Sequence, residues 1–349
     1  VRRNPVQGGE GQVAKRKIKS SIDSLKIEDL TPVTHHLSTG CTVLDLAIAD
    51  TLPGGFPAGR ISQVAGASSS GKSVLACEPL GSAQRQKGFA SFLDSEGTLD
   101  FKRADYLFGV AIEELRYLSS ADKEDMSIEY FFDELLPELE KESQETNAPC
   151  VCAVDSLSAI PSAIELEEGV GEASYGTSRA KSLSKGFRKH IWKLNQTNLA
   201  LIFIDQFRQK VGVTFGKKTT TSGGEALGFY ASVIVETKIL KKLQNKNKKA
   251  IGVEIGFEVT KNKIAPPYRQ GSFFLLFDYG IDNIRTNLQW VKENTAGKVY
   301  EAPDGKTFTA MSKMIDYIEE EELEEELDLM VWDEWKELYA VEERKERRR

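Results

Sequence analysis

Through the first two thirds of the chain, short apolar runs alternate with longer stretches of helical spacing. Residues 61–65, 88–94, 115–119, 150–155 and 199–204 are the runs. Residues 73–86, 99–108, 126–143 and 178–197 carry apolar residues at the helical period. Runs that are apolar throughout, joined by amphipathic helices, predict an α/β fold whose mostly parallel central sheet is covered on both faces. The pattern then changes. Residues 230–239, 251–260 and 271–277 read as three strands with no helical stretch between them, joined by turn-rich pieces such as Pro266-Pro267. Antiparallel strands extending one edge of the sheet are the economical arrangement.

Flanking segments divide the chain into three parts. Residues 1–32 form a basic arm with spaced Ile18, Ile22, Leu25, Ile27 and Leu30, ended by Thr31-Pro32. This is a short amphipathic helix that either caps its own domain or docks on another subunit. Residues 33–285 form the core, entered through loop-rich Ser38-Thr-Gly40 and Pro53-Gly-Gly-Phe56. Residues 286–349 read as a small α+β unit: a hairpin around Pro303-Asp-Gly305, then one long acidic helix with Met314, Ile315, Ile318, Leu323, Leu327, Met330 and Val331 as its apolar positions.

Composition narrows the class. A hydrophobic fraction of 40% and a charged fraction of 28% belong to a soluble globular protein. No apolar run reaches membrane-span length, and Val1-Arg-Arg-Asn-Pro5 does not read as a secretory leader. The expected location is the cytoplasm, with Cys41, Cys77, Cys150 and Cys152 as reduced structural thiols. The net charge of −7 speaks mildly against nucleic acid, but its distribution speaks for it. Residues 179–193 hold six Lys/Arg and no acid, and residues 208–218 hold Arg208, Lys210, Lys217 and Lys218, again without an acid. The acid is concentrated in 316–328, with nine Asp/Glu. Local potential decides where a polyanion docks.

The sharpest chemical signal is Gly66-Ala-Ser-Ser-Ser-Gly-Lys-Ser73, which follows one of the apolar runs and opens a helical stretch. Backbone N–H groups of Gly66, Ala67, Ser68, Ser69, Ser70 and Gly71 would cradle phosphates, Lys72 would reach the outer ones, and Ser73 would hold Mg²⁺. ATP and Mg²⁺ are therefore the expected cofactors. Asp155, ending the run Val151-Cys-Ala-Val-Asp155, is the metal-side carboxylate or else a helix cap. Glu96 at the end of 88–94 is the base that positions the attacking water, or a capping carboxylate in a turn. Gln206 follows strand 199–204 and can sense a γ-phosphate. Behind it the Gly-, Thr- and Lys-rich loop from Arg208 to Ser222 is either an ordinary charged surface loop or an ATP-ordered DNA contact, with Phe215 placed to stack on bases.

These residues resemble the bacterial and phage RecA-type recombinases. The likeness runs in order through Leu37-Ser-Thr-Gly40, Phe56-Pro-Ala-Gly-Arg60, Phe92-Leu-Asp-Ser-Glu96, Leu99-Asp100 and Val154-Asp-Ser156. It continues through Ile204-Asp-Gln-Phe-Arg208, the segment from Lys210 to Gly216, the segment from Thr220 to Ser232 and Lys261-Asn-Lys-Ile-Ala265, covering about residues 35 to 285. The resemblance implies a RecA-like ATPase core with a polymerisation helix, and a DNA-dependent ATPase that self-associates as a helical filament. That filament would bind single-stranded DNA, test it against double-stranded DNA and exchange strands in recombination and repair, with loader or mediator proteins as further partners. It implies that Glu96, Lys72 and Gln206 act in hydrolysis, and that Lys261 and Lys263 reach the neighbouring protomer's nucleotide. Asp100 and Arg103 would lie against the nucleoside. Arg179, Arg208, Lys210, Gly212, Phe215, Lys217, Lys218, Gly223 and Gly224 would contact DNA, and residues 162–178 match a second DNA loop. Two departures stand out: Arg103 occupies the place of a usual Tyr, and Asp205 that of a common Asn. The competing classes are a ring helicase, separable by electron microscopy of the assembly on DNA, a non-hydrolysing DNA scaffold, separable by phosphate release, and a nucleotide kinase, which lacks an evident lid with paired arginines.

Overall fold

A computed structural model of the chain describes residues 33–119, 126–167, 175–209, 219–221, 224–295 and 297–340. The arm 1–32 lies outside them, as do parts of both expected DNA loops. The elements follow in chain order: β1 (His36–Leu37), α1 (Thr42–Ala49), β2 (Phe56–Pro57), β3 (Ile61–Gly66), α2 (Lys72–Arg85), β4 (Ala90–Asp94), α3 (Phe101–Phe108) and β5 (Leu115–Ser119). Next come α4 (Ile128–Tyr130), a π-helical turn (Phe131–Leu135), α5 (Leu136–Glu145), β6 (Cys150–Asp155), α6 (Ala163–Glu167), α7 (Tyr175–Leu194), β7 (Leu199–Gln209), β8 (Thr219–Thr221) and α8 (Gly224–Tyr230). The chain continues with β9 (Val233–Gln244), β10 (Ala250–Asn262), β11 (Gln270–Leu276), β12 (Gly280–Asp282), α9 (Asn283–Asn294), β13 (Tyr300–Glu301), β14 (Thr307–Phe308), α10 (Met311–Glu320) and α11 (Glu324–Leu338).

The central sheet runs β12-β11-β10-β9-β3-β7-β6-β4-β5, with β8 beside β7. From β9 to β5 every neighbouring pair is parallel, and β10, β11 and β12 extend the edge antiparallel, as the change of pattern after residue 230 predicts. Successive residues of one strand serve opposite layers. In β7, Ala200, Ile202 and Ile204 face one core with Leu44, Leu75, Val235 and Phe273. Leu199, Leu201 and Phe203 face the other, where Phe131, Phe132 and Phe187 pack edge to face. Both faces of the parallel centre, β3, β4, β6 and β7 as far as Asp205, are thus dry, which is why these strands read as unbroken apolar runs. All four cysteines are free and buried in these layers, and burial pushes the thiols up, Cys150 to about 11. No described helix is long and apolar enough to cross a membrane.

Three details differ from the expectations. The helix expected at 126–143 opens a π turn before Pro137, whose ring nitrogen cannot donate to the preceding turn. β7 runs five residues past 204, because β8 pairs with its end through Phe207↔Thr221, Arg208↔Thr220 and Gln209↔Thr219. The single long acidic helix is two helices. Glu322 takes a left-handed φ of 54°, and the Leu323 N–H donates back to Ile318 O at 3.0 Å, closing α10 in a Schellman-type turn. The break lets Leu323 and Leu327 join Met314 and Ile318 in one small core, which a straight helix would spread over several turns. The C-terminal part shares the main core too. Trp290 and Trp335 stack there, and Asp328 of α11 accepts from Thr42, Asn283 and Asn287.

Candidate functional site

β3 ends at Gly66 between two longer neighbours, with Gly66 in register with Gln206 of β7 and Thr237 of β9. The loop from Ala67 to Gly71 turns at this rim into α2, whose first residues are Lys72 and Ser73. The tight turn needs its glycines. A Cβ on Gly66 would stand 2.4 Å from both Ser70 Oγ and Thr237 Oγ1, and Gly71 has φ +82° with Ile255 Cδ1 2.6 Å from its would-be Cβ. Ser70 Oγ donates to Ala67 O at 2.8 Å and shares a hydrogen bond of 2.8 Å with Thr237 Oγ1, tying the loop to the antiparallel side of the sheet.

Lys72 is buried and donates to Ala67 O at 2.6 Å. Burial lowers its pKa, while Asp155, Glu96 and Asp205 pull it back up. Ser73 Oγ donates to Asp155 Oδ2 at 2.8 Å, so the two expected metal-side oxygens meet without side-chain rearrangement. Burial raises the Asp155 carboxyl, opposed by the Ser73 hydrogen bond and reinforced by Glu96 and Asp94. A hard divalent cation suits this pair of oxygen donors. Among the described residues no three His, Cys, Asp or Glu side chains form a metal cage, so phosphate oxygens and water would complete such a shell.

Glu96 Oε1 accepts from Ser156 Oγ at 2.7 Å, which sets the expected hydrolytic carboxylate beside the residue that follows Asp155. Behind it lies a residue the sequence reading left without a role. Asp94 is fully buried and accepts the N–H groups of Glu96 at 3.2 Å and Leu99 at 2.8 Å, and the Tyr117 hydroxyl at 3.1 Å. Its carboxylate shapes the turn that presents Glu96. The only signal in the sequence is its place within Phe92-Leu-Asp-Ser-Glu96, because the Tyr117 hydroxyl lies 23 residues away in the chain.

Other expected site residues are distributed differently. Asp100 caps α3 through the Arg103 N–H, and Arg103 Nη2 donates to Phe277 O at 2.7 Å, so both stand at the turn after β11. The Arg179 guanidinium donates to Leu157 O and Ser158 O, which commits it to the turn after Asp155. Lys261 and Lys263 are not brought to the phosphate loop. Lys261 pairs with Ile234, near the start of β9, whereas Gly66 pairs with Thr237 three residues further along it. Lys261 Nζ donates to Gly228 O at 2.7 Å and Phe229 O at 2.8 Å, at the C-terminal end of α8. Gly224 opens α8. Arg208 pairs in the β7–β8 ribbon by its backbone, and Lys210, Gly212, Phe215, Lys217, Lys218 and Gly223 lie outside the described residues.

The basic run 179–193 resolves into a face. Lys181, Lys185 and Arg188 are exposed on α7 at spacings of four and three. That spacing was legible, but which side of the helix is buried was not.

The RecA N-terminal domain family matches residues 8–282. The chain is 36% identical over 274 residues to Protein RecA of Colwellia psychrerythraea, covering 78% of this chain and 74% of that protein. It is 32% identical over 281 residues to Protein RecA of Leptospira meyeri, covering 80% and 68%. It is 36% identical over 276 residues to Protein RecA of Fusobacterium nucleatum, covering 79% and 66%. The chain belongs to the RecA family. It is a recombinase of homologous pairing and DNA repair and a DNA-dependent ATPase, and as a member of that family it binds nucleotide and DNA and assembles into filaments.

Proposed function

We propose that the nucleotide is ATP with Mg²⁺, held from Gly66 to Ser73, and that the filament forms on single-stranded DNA and pairs it with a homologous duplex in the cytoplasm. The observation that carries this is the hydrogen bond of 2.8 Å between Ser73 and Asp155, made beside Lys72 on the phosphate loop. When bound, Mg²⁺ supplies Lewis-acid neutralisation of phosphate charge. The chain's own residues do the rest. Backbone N–H groups of the loop and the N-terminus of α2 receive the phosphates, and Lys72 leaves Ala67 O for the outer oxygens. Glu96, fixed by Ser156 and the Asp94 turn, orients water and takes its proton. Gln206, level with Gly66, reports the γ-phosphate to the ribbon that begins the loop 207–224.

Lys261 and Lys263 complete the nucleotide site of an adjoining protomer, where their charge meets the charge developing on the transferred phosphoryl group. DNA phosphates lie along the loop 207–224 and the Lys181, Lys185 and Arg188 face of α7, giving binding that is nearly independent of sequence and sensitive to salt. The test is phosphate release with and without single-stranded DNA and Mg²⁺, followed by strand exchange between circular single-stranded and linear duplex DNA. Turnover that ignores both DNA and Mg²⁺, or the absence of exchange with ATP present, contradicts the assignment.

A further inference from the structure

One aromatic residue of α7 serves neither the core nor the nucleotide. Leu183, Phe187, His190 and Leu194 are buried along one side of the helix. At about 100° per residue, Lys181, Lys185, Arg188 and Trp192 fall within about 60° of one another on the opposite side. All four are exposed, Trp192 at 70%. Among the described residues the Trp192 indole stacks on no ring and donates to no acceptor, and Lys181, Lys185 and Arg188 make no hydrogen bond or salt bridge. Their polar neighbours on α7 are committed. Lys189 Nζ donates to Asp133 Oδ1 at 2.6 Å, Ser182 Oγ donates to Glu129 Oε1 at 2.5 Å, and His190 Nδ1 lies 2.9 Å from Glu140 Oε1. These contacts fasten α7 to α4, the π turn and α5, so the outer stripe is held in place.

A large ring at the centre of a solvent-facing arc gains nothing from the fold. Covering it is worth most where the ligand offers a flat apolar face. The three unpaired cations beside it select a polyanion, and single-stranded DNA is the polyanion that offers open base faces together with phosphates. In a duplex those faces are already stacked on one another. Lys181 to Trp192 spans about 16 Å of helix, enough for several nucleotides lying along it. We propose that Trp192 stacks on an unpaired base of a single strand whose phosphates lie on Lys181, Lys185 and Arg188, and that this ring makes the α7 face prefer single strands to duplex. The proposal rests on the placement of DNA along α7 given above and adds the indole, which that placement leaves unused. A carboxylate-rich protein surface would satisfy the cations but leave the ring without a flat partner.

The test measures binding of the full chain, with Mg²⁺ and a slowly hydrolysed ATP analogue, to oligothymidylate, to an abasic strand and to a duplex of the same length. Trp192→Ala is expected to weaken binding to oligothymidylate about tenfold, the scale of one lost base stack, and to leave the abasic strand and the duplex unchanged. Trp192→Phe is expected to keep most of the affinity and Trp192→Leu little of it. Oligothymidylate should quench indole emission in the full chain and much less in Trp192→Phe, which retains Trp290, Trp332 and Trp335. An equal loss on all three DNAs, or no loss on oligothymidylate, overturns the stacking. So does full affinity in Trp192→Leu, which would mark simple apolar cover. A Trp192→Ala chain that no longer self-associates before DNA is added places the ring against a second copy and overturns the stacking too. Alanine at Lys181, Lys185 and Arg188 together is expected to weaken binding to all three DNAs. If that variant loses DNA and Trp192→Ala does not, the α7 placement stands and the stacking falls; if the triple variant binds as the full chain does, both fall. Trp192 is exposed, so its replacements are expected to melt with the full chain.

Discussion

The two ends of the central sheet are furnished in opposite ways. At the end where β3 stops, Gly66, Lys72, Ser73, Asp155, Glu96 and Gln206 converge within one chain, tied by short hydrogen bonds. Toward the other end, Lys261 pairs three residues back along β9 from Thr237, with Lys263 just beyond it, and Lys261 donates to the carbonyl of Phe229, which is 73% exposed. Three strand residues are about 10 Å of rise along the strand. One rim has the glycine-bounded turn, Lys72 and the Ser73–Asp155 pair; the other has cations and an exposed aromatic ring. In the function proposed above, the lysine rim of one copy faces the phosphate loop of the next, and a head-to-tail contact that does not close generates a helix.

The largest expected effect tests the first rim. Lys72→Ala should lower phosphate release at least about a hundredfold, the usual cost of removing a preorganised cation from developing charge. Unchanged turnover would move the site elsewhere. The comparison itself breaks or holds on mixing. Lys72→Ala and Lys261→Ala should each be nearly inactive alone. Mixed in equal amounts on DNA, they should recover up to about a quarter of wild-type turnover, since a random head-to-tail array pairs an intact phosphate loop with an intact lysine at that frequency. No recovery would place Lys261 in its own chain's site.

A pH profile sharpens the division further. Burial and the neighbouring Lys263 hold the Lys261 ammonium below the ordinary lysine range, and burial does the same to Lys72. A lowered ammonium pKa means the charge is lost at lower pH, so DNA-stimulated hydrolysis should decline early on the alkaline side. Lys261→Arg should push that limb to higher pH if the lysine rim sets it; a limb that does not move belongs to Lys72.

A region belonging to neither rim gives a contrast in stability rather than activity. Burial raises Asp45 from 3.8 to about 7, against hydrogen bonds from Ser38 and Thr39, and burial raises Glu78 to about 8. The folded chain then binds more protons than the unfolded chain between about pH 4 and about pH 7, so stability is greatest below that window and falls as pH rises through it. Asp45→Asn should reduce that fall in melting temperature by several degrees, leaving the remainder to Glu78. The smallest effect concerns DNA. Replacing Lys217 and Lys218 by alanine should weaken binding evenly across sequences and lower the salt slope by about two ions, as for any pair of phosphate contacts. A loss confined to particular sequences would mean base readout.

Much of the site was legible because its chemistry is local. The phosphate loop depends on glycine geometry over eight residues, and Asp155 and Glu96 are announced by the apolar strands that end at the first and two residues before the second. Asp94 was not, since the Tyr117 hydroxyl reaches it only once β4 and β5 lie side by side. Arg179 carried the same basic signal as its neighbours, yet its guanidinium serves two carbonyls of a turn. A charge count cannot distinguish a cation that meets solvent from one spent on the backbone. The break between α10 and α11 was hidden because nine acids and a helical apolar period describe one helix or two equally well.

The amino-acid sequence alone determined the alternation of strands and helices, the antiparallel edge and the phosphate loop. Each follows from side-chain period or backbone permission over a few neighbouring residues. Only the tertiary structure decided which end of the sheet each charge occupies. Strand direction and register, set by the packing of both faces, put Asp205 beneath the phosphate loop and carried Lys261 and Lys263 to the far rim.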